Sequence, residues 1–464
     1  MTAPLPNIDH VILLMFENRS FDNVLGSLYP ATTNPDGGGV PAGWANPLDN
    51  APDVAAWSGP VDSATQNLPF PDPQESYADM SQQINSAPPM QGFVNDYSTV
   101  NGATPSNIMQ YFAPGNVPVT QALASAYAVS DRYFASGPVQ TWPNRLFSLC
   151  GTPCYNETSQ TAYVNNPEYP HYPLMIGQLD QLCIFELFDI AGYSWKVYYD
   201  DEAPVSAIIK YVDDHWDKVL DGGNVWPFKS DLDLDHGDFF DDVKNNKLPT
   251  FSLIEPRYQM LSATGFKAPN SNHPGDSMPV GHSDIPINVS CGEQLLAEVF
   301  QALVANPTLF ETTLLVVTYD EHGGVFDHVT PPTWAPSPYP SGTVNGFDYS
   351  SYGVRVPALF INPYVTPGIF RPPYQPPPAE SLPFDHTSLL ATLRDQFGLA
   401  GSLSPRVDVA PTFTGLMQST QAIQPPDIPI PTCSWDWSAL RLGHSEAVLR
   451  TALWHARKRR LRQL

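Results

Sequence analysis

Val11–Phe16 reads VILLMF and runs without a break into Glu17-Asn18-Arg19-Ser20-Phe21-Asp22. Six continuous apolar residues with no polar alternation predict a strand buried on both faces, as in an α/β sheet. Ligands collect at the carboxyl ends of such strands. A carboxylate and an amide oxygen delivered there suit a hard cation; the plainer alternative is a turn in which Asp22 caps a helix. A second apolar run, Thr313–Tyr319 (TLLVVTY), ends the same way, in Asp320-Glu321-His322-Gly323-Gly324 followed by Asp327 and His328. Adjacent acids at a strand end repel one another unless something positive lies between them. The two glycines let the backbone turn sharply around what is bound.

Working outward, Val354–Ile361 (VRVPALFI) is a third strand, and its Pro357 predicts an edge position or a bulge. Helices are expected at Glu293–Ala305, from apolar residues at helical spacing, and at Thr387–Phe397, from a capping Thr-Ser pair and the following Gly398. The fold class is therefore α/β: a central, mostly parallel sheet flanked by helices. The Pro-, Gly-, Asn- and Asp-rich stretch up to about residue 110 reads as a cover over the site, and Pro363–Pro383 as a Pro-rich loop. A single domain over residues 1–440 and a basic helical tail over 441–464 account for the 464 residues.

The net charge of -25 argues against nucleic acid as a partner. It also means that an anionic substrate needs local positive charge, most simply a metal. No run is long enough to span a membrane, and MTAPLPNIDH lacks the basic segment and apolar stretch of a signal peptide. The expectation is a cytoplasmic protein or the mature form of a secreted one. Cys150 and Cys154 are open to two readings, a small disulfide loop or two reduced, buried thiols. Asp231-x-Asp233-x-Asp235 has its glycine one place too late for a calcium loop and reads as a solvated acidic loop. The tail from Arg450 holds six of the 22 Lys and Arg residues and no acid, which predicts docking on the acidic body or on a neighbouring subunit, making a homo-oligomer.

The remaining segment with chemistry is Gly137-Pro-Val-Gln-Thr-Trp-Pro-Asn-Arg-Leu-Phe147. Pro143 is suited to the first residue of a helix. Thr141 then sits at the helix mouth, where free amides and the dipole favour a phosphate. Coordination to a metal would lower the pKa of its hydroxyl and make it a nucleophile.

Together these segments resemble the phosphoesterase family of bacterial, fungal and plant phospholipases C and related acid phosphatases, which has an alkaline-phosphatase-like fold. The resemblance rests on ENRSFD, TWPNRLF and YDEHGG, supported by MQGFVNDY, LPTFSLIEPRY and FDHTSLLATLRDQFGL. It implies one divalent metal ion (Mg, Ca, Mn or Zn) held by Glu17, Asn18, Asp320 and Glu321 with Thr141 as a further ligand. It also implies a phosphate-ester or phospholipid substrate. A threonine at the nucleophile position leans toward phospholipase C, with acid phosphatase or phosphodiesterase as the near alternative. Family histidines match His273 or His282, and His386; Asn18, Asn144, His322 and His328 are further candidates for substrate contact. The chain departs from the family at Asp72-Pro73-Gln74-Glu75, where Glu75 replaces an active-site histidine. That departure is the support for a rival reading, a metal-stabilised binding protein without turnover.

Overall fold

Strand β1 (His10–Phe16) lies at the centre of an eight-stranded sheet in the computed structural model. The structure describes residues 4–30, 37–156, 161–166, 175, 177–199, 204–216, 225–227, 239–258, 261–262, 265–276, 285–339, 347–372, 382–420 and 422–434. The other strands are β2 (Ala128–Ser130), β3 (Trp195–Tyr199), β4 (Val225–Pro227), β5 (Phe251–Glu255), β6 (Thr313–Tyr319), β7 (Ala358–Ile361) and β8 (Gly368–Ile369), in the order β4-β3-β5-β1-β6-β7-β2-β8. From β4 to β6 every pairing is parallel; β7 is antiparallel to both its neighbours. The continuous apolar runs have their explanation here, because β5 and β6 are buried throughout and β1 at every residue but His10.

Register fixes the site. Phe16 lies opposite Tyr319, so β1 and β6 release Glu17 and Asp320 side by side, while Leu14 lies opposite Ile254, which puts Glu255, the last residue of β5, level with Met15.

Two sequence expectations are corrected in the sheet. Pro357 marks neither an edge nor a bulge: β7 starts immediately after it and is paired on both sides. The missing donor is thereby kept outside the ladder, and the Pro357 carbonyl accepts from Thr318 Oγ1 at 2.9 Å. The Pro-rich stretch after 363 is not all loop either, since β8 pairs with β2.

Helices α1 (Phe21–Leu25), α2 (Tyr77–Ile84), α3 (Pro118–Ala126), α4 (Thr141–Cys150), α5 (Ser290–Val304) and α6 (His386–Phe397) carry the parts that matter for the site. The start of α6 is capped by Asp385, in a reciprocal box with Ser388, and not by the Thr-Ser pair. Helix α4 begins at Thr141 itself, which puts Pro143 third rather than first. It is still within the first turn, where a missing N–H breaks no helical bond.

Residues of the covering stretch form a small core of their own, in which Met90, Phe93, Val94, Tyr97, Ile108 and Met109 close on Val325, Phe326 and Val354. Cys291 of α5 is joined to Cys433, while Cys150, Cys154 and Cys183 are buried thiols, so the reduced reading of Cys150 and Cys154 is the one that holds. No helix among the described residues is long and apolar enough to cross a membrane. His282, the acidic loop at 231–238 and the basic tail lie outside the described residues.

Candidate active site

Asn18 leaves β1 with φ 56°, a left-handed conformation that asparagine tolerates better than most residues. The turn aims its backbone N–H at Asp320 Oδ1 (3.1 Å) and its side chain at Thr141, whose Oγ1 lies 3.5 Å from Asn18 Oδ1. Gly323, at φ 61°, allows this approach, because a Cβ there would stand 2.5 Å from the Asn18 carbonyl oxygen. Gly323 thus turns the chain around Asn18 itself, while Gly324 lies against Pro73 and Gln74 of the cover.

Asp320 is held on both oxygens. Oδ1 accepts from the amides of Asn18 and Glu321 (2.7 Å for the latter), and Oδ2 accepts from Arg145 Nε at 3.0 Å. Arg145, one helical turn beyond Thr141, also reaches Glu255 Oε2 (3.0 Å) and the carbonyls of Met15 and Phe16 (3.0 and 3.2 Å). One guanidinium therefore ties α4 to the ends of three strands. Burial works against its charge, but Tyr258, Asp320 and Glu255 outweigh that and keep it protonated.

The histidines separate by their partners. His273 donates from Nδ1 to the Gly275 carbonyl, which leaves Nε2 to accept from Asn18 Nδ2 at 2.9 Å. His386 has both nitrogens engaged, Nε2 with the Asp320 carbonyl (2.7 Å) and Nδ1 with the Tyr133 hydroxyl (3.5 Å), so it braces the strand end rather than facing a substrate. His322 is buried, and burial holds its pKa down to about 3. The Gln83 amide fixes its tautomer: Gln83 Nε2 donates to Asp96 and to the Gln74 carbonyl, so Oε1 must accept from His322 Nε2 (2.8 Å). His328 Nδ1 meets Asp22 Oδ2 at 2.6 Å. Asn144, expected at the substrate, instead clamps the loop before α4, accepting from Gly137 N and donating to the carbonyls of Gly137, Val139 and Gln140.

Two groupings could hold a cation. Asp22, Asp327 and His328 each bring a ligand atom within 4.8 Å of the others. Arg355 already neutralises that cluster, with 3.0 Å contacts to both aspartates over the face of Phe21. The other grouping is Glu17, Asn18, Asp320 and Glu321, which follow β1 and β6; Asn18 reaches Thr141, and Asp320 holds the Asn18 amide. Here Glu321 Oε1 and His322 Nδ1 are buried acceptors with no partner, and His322 Nδ1 lies 3.5 Å from Glu321 Oε2. Buried acceptors left without a donor beside neighbouring carboxylates call for a positive charge, so these oxygen-rich residues fit a hard cation.

Residues 8–400 match the phosphoesterase family. The chain belongs to that family. It is 31% identical to non-specific phospholipase C3 of Arabidopsis thaliana over 89% of this chain and 74% of that one. It is 29% identical to phospholipase C A of Mycobacterium tuberculosis over 85% and 74%. Among solved structures, it aligns with the lipoteichoic acid synthase LtaP from Listeria monocytogenes at 10% identity and a TM-score of 0.39, over 88% and 76%, a likeness too loose to support any statement about activity. This phosphoesterase is a phosphoric ester hydrolase, and a binding protein without turnover is set aside.

The carboxylates of the phosphoesterase site carry a pH signature. Burial pushes Glu17 and Glu75 up to about 7, against the opposing pull of His273, and Glu321 is raised further by burial and then by Glu75 and Asp320. A carboxylate raised in the folded state binds protons there that the unfolded chain has already released. In chelator, stability should be greatest near the unfolded carboxylate range and fall as pH rises through about 7. Melting temperatures measured in chelator from acid to alkaline pH check this; a flat or rising trend contradicts it.

Proposed function

We propose that the chain is a phospholipase C-type phosphodiesterase in which Thr141 is the nucleophile. The observation that carries the reading is Thr141 Oγ1 at the first residue of α4, buried and 3.5 Å from Asn18 among the acidic strand ends. The relatives named phospholipase C support the substrate class.

A divalent cation held by Glu17, Asn18, Asp320 and Glu321, with Thr141 as a further ligand, would place positive charge on the phosphoryl oxygens and lower the pKa of the threonine hydroxyl. Thr141 Oγ loses its proton and forms a bond to phosphorus in line with the departing alcohol, whose P–O bond breaks. His273, through its unprotonated Nε2, takes up the proton and returns it to the leaving oxygen. Water then attacks the phosphothreonine, restoring the hydroxyl and releasing the phosphate product. Arg145 keeps α4 and the strand ends in one arrangement throughout. With a phospholipid, the departing alcohol is diacylglycerol.

Hydrolysis of p-nitrophenylphosphorylcholine and p-nitrophenyl phosphate, each with and without chelator, tests the reading. The diester should be the better substrate, and chelation should abolish turnover while lowering the melting temperature, because bound ions stabilise the folded state. Full activity in excess chelator, with no metal by elemental analysis, would refute it. A clear preference for the monoester would instead make the chain an acid phosphatase.

A further inference from the structure

Glu75 shares the Thr141 site but comes from the cover rather than from a strand end, and the steps above give it no task. Its carboxylate accepts from Asn18 Nδ2 and, at 3.3 Å, from Gln140 Nε2. Its Oε2 lies 3.8 Å from His273 Nε2. Asn18 faces the Thr141 hydroxyl, Gln140 immediately precedes Thr141, and His273 contacts Asn18. A phosphoryl group under attack by Thr141 must therefore pass beside Glu75. Gln140 cannot turn its oxygen toward Glu75, since that oxygen accepts from Asn166 N at 2.7 Å. The neighbouring amides thus hold Glu75 as an acceptor.

A fixed acceptor beside the reacting phosphate repels each negative charge the substrate brings. A phosphate monoester brings two at alkaline pH, and a diester one. We propose that Glu75 is a specificity-determining residue that disfavours dianionic monoesters and so restricts the site to monoanionic phosphodiesters. This rests on Thr141 being the nucleophile.

The test compares bis(p-nitrophenyl) phosphate with p-nitrophenyl phosphate at one alkaline pH in the metal-loaded wild type, Glu75→Gln and Glu75→Ala. Both variants should raise the monoester-to-diester ratio of kcat/KM by about tenfold or more, the scale of one close charge interaction. Calorimetry supplies a readout apart from turnover: inorganic phosphate should bind Thr141→Ala/Glu75→Gln more tightly than Thr141→Ala by a similar factor. An unchanged ratio and phosphate affinity, or equal losses on both substrates, would overturn the proposal. Thr141→Ala alone separates the two readings. If it stays active, the nucleophile assignment fails; if it is dead while the Glu75 ratio is flat, only the role of Glu75 fails.

Discussion

Thr141→Ala should lower turnover by about a thousandfold or more while the protein still folds and still binds metal through Glu17, Asn18, Asp320 and Glu321, because no neighbouring hydroxyl can replace it in line with the leaving group. The Thr141 side chain contributes one buried contact, to Asn18, but Asn18 is also held through its backbone N–H, and Arg145 holds Asp320 and Glu255. Thr141→Ser keeps the attacking atom and should retain part of the activity. Were Thr141 only the first residue of α4, alanine would change stability by about 1 kcal/mol or less and catalysis little. Steady-state kinetics with metal content measured alongside distinguishes these outcomes.

Arg355→Met should destabilise the protein by about 3–5 kcal/mol, the usual consequence of leaving buried charges without their partner. Arg355 is fully buried, bonds Asp22 and Asp327, and donates to the carbonyls of Gly38 and Asp131 at 3.3 and 3.2 Å. Asp22 sits in the first turn of α1, which follows β1, and Asp327 on the loop after β6, so the guanidinium locks together the two segments that supply Glu17, Asn18, Asp320 and Glu321. Denaturant unfolding of the variant measures the loss. A change below about 1 kcal/mol would mean that the ion pairs are weak, as surface pairs are.

The parts of the site that the sequence reveals are those written as local patterns. VILLMF before ENRSFD and TLLVVTY before YDEHGG each place an acidic turn after a buried parallel strand, and the observed register sets Glu17 beside Asp320. What a pattern cannot show is which distant partner a side chain finds. Arg145 was visible only as part of TWPNRLF, yet it reaches Asp320 across 175 positions of sequence. Its one local signal was a basic residue four places after Thr141 in a chain with few bases. His386 looks like a site residue in sequence and is a brace in space, since the groups that engage it are the Asp320 carbonyl and the Tyr133 hydroxyl from elsewhere; Asn144 is also a brace, though its partners lie just before it in the chain. The Cys291–Cys433 pairing was hidden for the same reason: its partners are 142 residues apart. Pro357 shows the opposite error, a local rule applied one residue too far into a strand.

Rapid quenching during turnover, followed by mass spectrometry of the peptide containing Thr141, tests the covalent route most directly. Phosphate on Thr141 in wild type, and none on the same peptide from Thr141→Ala, is the predicted result. An unmodified wild-type peptide under turnover, together with a wholly active alanine variant, would contradict it and assign the attack to water.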